Sequence, residues 1–202
     1  MKKVLCFGDS NTFGFNPKTG ERYQKNERWS GILSDKAKNE FKIIEAGCNN
    51  RTCIAQNPQG SEYIGCEILP KYLKSDVDVV ILALGINDVQ FLFDVSIEEI
   101  KIGMEKLINI SKNINPNIEI IIVSPSVISK DVLSGYFACQ FNEISIQKSK
   151  HISKNYFDLS KKYDCKFLDL NEIAKVSKCD GLHYEIEEHK TIAEKIYQIL
   201  KQ

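Results

Sequence analysis

Residues 77–84 read VDVVILAL, apolar on both alternations of a strand, so neither face of such a strand can meet water. A strand of this kind needs cover on both sides. Four more short apolar runs, Val4–Phe7, Lys42–Glu45, Ile118–Val123 and Lys166–Leu170, are spread along the chain with helical patterns between them. Ser96-Ile-Glu-Glu99 is a capping box that opens a helix with Ile97, Ile100, Met104, Leu107 and Ile108 on one face. Asn142 to Tyr163 reads as a longer, polar-rich helix, and Ile186, Ala193, Ile196 and Leu200 repeat at helical spacing near the end. Strand and helix alternating five times imply an α/β sandwich around a parallel sheet of five strands.

The chain has 202 residues, 43% of them hydrophobic, which suits one sizeable core and one domain over 1–202. Twenty-seven basic residues balance twenty-seven acidic ones, so no charge excess points to nucleic acid or to an anionic membrane surface. The seven cysteines are odd in number and contain no CxxC pair, which reads as free thiols in a reducing compartment. Lys2 and Lys3 precede an apolar run that ends at Gly8, too short for a signal-peptide core, and no stretch approaches the ~20 apolar residues of a membrane span. The expected location is the cytoplasm.

In a parallel α/β sheet the ligand crevice lies beyond the carboxyl ends of the strands. Three loops there are unusual: Gly8-Asp9-Ser10-Asn11-Thr12, Ala46-Gly47-Cys48-Asn49-Asn50-Arg51 and Gly85-Ile86-Asn87-Asp88. The segment Asn16 to Arg28 reads as a long polar surface loop. No two glycines stand at i, i+2, so a dinucleotide fingerprint is excluded, and Gly60 and Gly65 are followed by Cys66-Glu67 where a phosphate loop needs Lys-Ser/Thr. No Cys and His cluster has zinc-ligand spacing, so a zinc site is not expected. Ser10 is either a helix N-cap or a nucleophile held at a strand end. A serine nucleophile needs a histidine base and a carboxylate to orient it. Of His151, His183 and His189, only His183 has a built-in partner, in Asp180-Gly-Leu-His183, whose other reading is a capped turn. His189 falls at the spacing of a packing or surface residue, and His151 reads as solvated. Gly47 and Asn87 are possible donors to an oxyanion, or else a turn glycine and a loop-stabilising Asx residue. Phe13, Phe15 and Trp29 either narrow an acyl pocket or pack under the first loop.

Taken together, Gly8-Asp9-Ser10, Gly47, Gly85-Ile86-Asn87-Asp88 and Asp180-Gly-Leu-His183 resemble, in order, the four blocks of the SGNH (GDSL-type) hydrolases. The wording CFGDSNTFG, ERWSGIL and EAGCNNRT is most similar to the arylesterase/acyltransferase-like branch, with Asn11 and Phe13 departing from its usual residues. The resemblance implies a flavodoxin-like three-layer fold and hydrolysis of a small-molecule ester without a metal or organic cofactor. It implies Ser10 as nucleophile, His183 as base and Asp180 as orienting acid, with an oxyanion hole from the Ser10 and Gly47 N–H groups and the Asn87 amide. The expected activity is hydrolysis of small, short-acyl carboxylic esters. Carbohydrate O-acetylesterase is the alternative, ahead of a thioesterase or lysophospholipase and of a binding module that has lost its chemistry.

Overall fold

The computed structural model describes residues 1–202. Strands β1 (Lys2–Gly8), β2 (Phe41–Gly47), β3 (Val79–Ala83), β4 (Glu119–Ser124) and β5 (Lys166–Asp169) form one parallel sheet in the order β2-β1-β3-β4-β5. That is the flavodoxin-like order, with its switch point between β1 and β3. The helices are α1 (Ser10–Phe13), α2 (Trp29–Lys36), α3 (Gly65–Tyr72), α4 (Ile97–Ile114), α5 (Glu143–Tyr163) and α6 (Ile186–Leu200).

The sequence of the central strand explains the layering. Val80 and Leu82 of β3 enter one buried cluster, together with Leu5 and Phe7 of β1 and Ile120 and Ile122 of β4. The alternate residues Val79, Ile81, Val4, Cys6, Ile121 and Val123 enter another on the opposite face. Helices α3, α4 and α5 cover the first face through Leu69, Met104, Leu107, Ile152 and Tyr156. Helices α2 and α6 pack together and cover the second through Trp29, Leu33, Ile192 and Ile196. Truncating a residue such as Leu107 to alanine would cost roughly 2–5 kcal/mol, because a rigid core closes only partly around the gap. No helix is long and apolar enough to cross a membrane.

The caps follow the sequence. Glu99 N–H donates to Ser96 Oγ at 3.2 Å and Ser96 N–H donates to the Glu99 carboxylate at 2.8 Å, closing the expected capping box at α4. Asn142 and Ser145 form the same reciprocal pair at α5. Two expectations shift. The central apolar run extends over 77–84, but the strand covers only Val79–Ala83, because Val77 and Leu84 are buried outside the ladder and hydropathy registers burial rather than pairing. The polar loop after α1 is a small hairpin: Phe15 bridges Arg22, and Arg22 Nε donates to the Phe13 carbonyl at 2.8 Å.

Candidate active site

β1 ends at Gly8, where a Cβ would collide with Thr12 Oγ1 and lie 2.7 Å from the Ala83 carbonyl. Asp9 then caps α1 by accepting the Asn11 N–H at 2.9 Å. The cap is therefore Asp9, and the Ser10 hydroxyl is left free for another partner. Ser10 opens a four-residue helix that stops at Gly14 (φ 86°), and its own N–H, at the first helical position, has no intrahelical acceptor. Burial pushes the Asp9 carboxyl up to about 7, against the Asn11 N–H and the charge of Arg51.

The free partner of Ser10 comes from the other end of the chain. Ser10 Oγ lies 2.8 Å from His183 Nε2, and His183 Nδ1 lies 2.7 Å from Asp180 Oδ2. The other Asp180 oxygen accepts the backbone N–H groups of Leu182 at 2.9 Å and His183 at 3.0 Å. The turn depends on Gly181, at φ 72°, where a side chain would strike the Val132 backbone. Burial alone would raise the Asp180 carboxyl, but the hydrogen bond and charge of His183 and the two N–H donors hold it below its usual value. An ionised Asp180 accepts a hydrogen bond from the Nδ1–H group, which leaves the Nε2 lone pair facing the Ser10 hydroxyl. The capped-turn alternative does not apply to α6, because its N-cap is Glu185.

Asn87 comes from the loop after β3. Gly85 there has φ 118°, and a Cβ would collide with the Tyr156 hydroxyl. Asn87 Nδ2 donates to the Arg51 carbonyl at 3.0 Å, across the crevice rather than into its own turn. Neighbouring Asp88 accepts N–H groups from Cys53 (2.6 Å), Ile54 (2.8 Å) and Ala55 (2.8 Å), and so folds the loop that follows β2. Arg51 is fully buried. Its Nη1 donates to the carbonyls of Gly8 (3.0 Å) and Ala46 (2.5 Å), tying the ends of β1 and β2, and its guanidinium lies 4.5 Å from the Phe7 ring centroid. Asp88 and Arg51 sit inside quoted sequence blocks, yet their role is visible only once the three loops converge.

These loops enclose a cavity of about 130 Å³ lined by Ser10, Phe15, Asn49, Asn50, Gln59, Asn87, Phe137, Gln140, Leu182 and His183. Phe15 and Phe137 flank the His183 ring, with centroids 4.4 and 5.2 Å away. Of the three aromatics considered from sequence, only Phe15 lines the cavity. Phe13 lies under the Arg22 guanidinium, and Trp29 packs in the core between α2 and α6. Gly47 does not line it either. Its missing Cβ admits the backbone of Thr12 and Phe13. In the β1–β2 ladder Gly47 is opposite Gly8 while the Cys48 N–H bonds the Gly8 carbonyl, so the Gly47 N–H points away from β1. The residues of this loop that do face the cavity are Asn49 and Asn50, and Asn50, at φ 58°, has a backbone N–H with no acceptor within the protein. Asn50, Gln59 and Gln140 also border a neighbouring cleft of about 640 Å³ with Gln56, Asn57, Gln90, Leu92 and Phe93.

The remaining histidines are apart from this site. His151 is exposed on α5. His189 is buried on α6, accepts the Trp29 N–H at Nδ1 (3.3 Å) and stands edge-on to Tyr23 and Tyr184. Burial lowers its pKa to about 3. No three His, Cys, Asp or Glu side chains are grouped to hold a metal ion, and all seven cysteines are free.

The fold is that of the SGNH-type hydrolases. A sequence model of the GDSL-like lipase/acylhydrolase family matches residues 6–185, and the chain belongs to that family. A carbohydrate acetylesterase family member from Sinorhizobium meliloti superposes with a TM-score of 0.92 at 27% identity, over 100% of this chain and 98% of that one. The aryl esterase of M. smegmatis superposes with a TM-score of 0.91 at 26% identity, over 100% and 99%. A search among curated sequences gave no match.

Proposed function

We propose that the protein is a one-domain carboxylic-ester hydrolase for small, short-acyl esters, with Ser10 as nucleophile, His183 as general base and Asp180 as orienting acid. The observation that carries this reading is the continuous hydrogen-bond path from Ser10 Oγ through His183 to Asp180, at 2.8 and 2.7 Å. Ser10 attacks the ester carbonyl as His183 Nε2 takes its proton, and Asp180 stabilises the imidazolium. His183 then protonates the departing alcohol, leaving an acyl group on Ser10, and water activated by His183 releases the acid. The oxyanion of each tetrahedral intermediate is met by the Ser10 N–H and the second Nδ2 proton of Asn87, whose first goes to Arg51. From the β2 side we assign the third donor to the Asn50 N–H in place of Gly47. The 130 Å³ cavity between Phe15 and Phe137 suits an acyl group of a few carbons.

The amide-lined cleft favours carbohydrate O-acetylesters as a second reading of the alcohol part. Asn and Gln side chains each offer both donors and acceptors, as sugar hydroxyls require. The S. meliloti neighbour, a carbohydrate acetylesterase family member, supports the same choice. The experiment is a set of aryl esters from acetyl to long acyl run beside acetylated xylo-oligosaccharides and monosaccharides. Turnover falling steeply with acyl length is expected, and faster acetate release from the sugars than from aryl acetates selects the second reading. Full activity in Ser10→Ala, with phosphonate labelling retained, would sink both.

A further inference from the structure

Gln90 directly follows the turn that carries Asn87, is nearly fully buried, and was given no role by its sequence. Its Nε2 donates to Asn50 Oδ1 at 2.8 Å and to Asn87 Oδ1 at 3.2 Å. Both of its N–H groups are thus committed to two residues that line the reacting cavity. Gln90 itself lines the neighbouring cleft and makes no hydrogen bond to Ser10 or His183.

A primary amide has two orientations of nearly equal shape, one presenting N–H and the other C=O to a given point. At Asn87 that choice decides the sign of the dipole facing the reacting carbonyl. Two tethers set it: the Arg51 carbonyl accepts from Nδ2 at 3.0 Å, and Gln90 donates to Oδ1. At Asn50 the same donor group holds Oδ1, while Nδ2 donates to Gln59 at 2.6 Å and the backbone carbonyl accepts from Asn57 at 2.8 Å. Gln90 therefore joins the loop after β3 to the loop after β2 through one nitrogen.

We propose that Gln90 is a positioning residue for oxyanion stabilisation, holding the Asn87 amide and the Asn50 loop so that both direct N–H groups at the reacting carbonyl oxygen. This rests on the oxyanion role assigned to Asn87 above. A flipped Asn87 would set a carbonyl oxygen against the developing negative charge, which is worse than having no side chain there. Because the charge develops only in the transition state, a loosened tether lowers kcat and leaves KM nearly unchanged.

The test compares kcat and KM for an aryl acetate in Asn87→Ala, Gln90→Met, Gln90→Glu and the Asn87→Ala/Gln90→Met double variant, with melting curves as the check on folding. Asn87→Ala should lose roughly 10²- to 10³-fold in kcat, as for other oxyanion donors. Gln90→Met, close in size but without donors, should lose about tenfold in kcat at constant KM, and clearly less than that in the Asn87→Ala background, where only the Asn50 tether is left to lose. Gln90→Glu puts an acceptor-only carboxylate opposite two amide oxygens, so near neutral pH it should match Asn87→Ala. On acidification its new carboxyl regains a donor, and kcat relative to the parent should rise. The ionisable groups nearest this position, Asp88 beside the turn and His183 across the cavity, are present in parent and variant alike, so only a pH-dependent limb found in Gln90→Glu and missing from the parent counts as evidence. If Gln90→Met is unstable, the pH-dependent ratio in Gln90→Glu decides. Parental kcat in the Gln90 variants, a ratio flat with pH, or additive losses in the double variant would overturn the proposal while Asn87→Ala remains impaired. Parental kcat in Asn87→Ala would remove the oxyanion reading, and this inference with it.

Discussion

His183 and His189 lie six residues apart, and both are buried to within 1% of complete exclusion from solvent. Their surroundings make them different chemical objects. His183 has a carboxylate on Nδ1 and a hydroxyl on Nε2, so each ring nitrogen has a defined partner. His189 accepts one backbone N–H on Nδ1, has no partner for Nε2, and is packed between two tyrosine edges. Burial therefore does not distinguish the two. What does is the fixed anion on one nitrogen of His183 and the hydroxyl at the other.

The sharpest way to break this contrast is to remove each ring in turn. His183→Ala should cut kcat/KM by roughly 10⁴- to 10⁶-fold, as expected for a member of a triad, with the fold intact. His189→Phe should stay within a few-fold of the parent, with its cost in stability, since the Trp29 N–H then loses its acceptor at about 1–3 kcal/mol. Reversal of those two results in steady-state assays would exchange the roles. Next in size is Asp180→Asn, where the neutral amide favours the wrong tautomer of His183. A loss of about 10⁴-fold in kcat is expected by comparison with other triads, and a variant within tenfold of the parent would show that the carboxylate only shapes the turn.

A third prediction concerns pH and His189. Its folded value is near 3 and its ordinary value 6.5, so between them the unfolded chain takes up a proton that the folded chain refuses. The His189 contribution to stability should therefore be lost as pH drops through that window, by on the order of a few kcal/mol. Asp180, also depressed, adds to the loss at lower pH, whereas Asp9, held up to about 7, works the other way between pH 7 and 4. The His189 part is read as a difference: urea midpoints should drop further, or rise less, from pH 7 to pH 4 in the parent than in His189→Phe, and equal slopes would assign the effect elsewhere. The smallest effect concerns metals: exhaustive EDTA dialysis should leave turnover unchanged, since neither histidine has a cluster of acidic or thiol partners around it. Activity lost and then restored by zinc or manganese would contradict this.

Much of the site was legible because its chemistry is written in short segments. Asp180 and His183 are three residues apart with a glycine between, so their pairing is a property of one turn. Ser10 follows a buried run and a Gly-Asp pair, which places it at a strand end whatever the rest of the chain does. Strand limits moved by a residue or two, since Val77 and Leu84 are buried without joining the ladder. The walls of the cavity were not legible. Phe137, Gln140 and Gln59, and Gln90 behind them, lie in irregular segments with no periodicity, and they come to the Ser10 side of the molecule only through the packing of several loops. Gly47 shows the opposite failure. Its glycine was noticed for its backbone, but ladder parity, which a sequence does not display, turns that backbone outward.

Ser10 and His183 are separated by 173 positions, and the Asn11 side chain reaches the Leu182 carbonyl across nearly the same interval. The Ser10–His183 hydrogen bond therefore joins segments far apart in sequence, and it needs both the end of β1 and the turn before α6 in place. Closing so large a loop costs entropy, though a cost that grows only slowly with length. Under the proposed roles, turnover is a readout of the docking of these two distant segments. During refolding, turnover should return after the helical signal, and a chain nicked or cut short near its C-terminus should keep most of its sheet while falling silent as an enzyme.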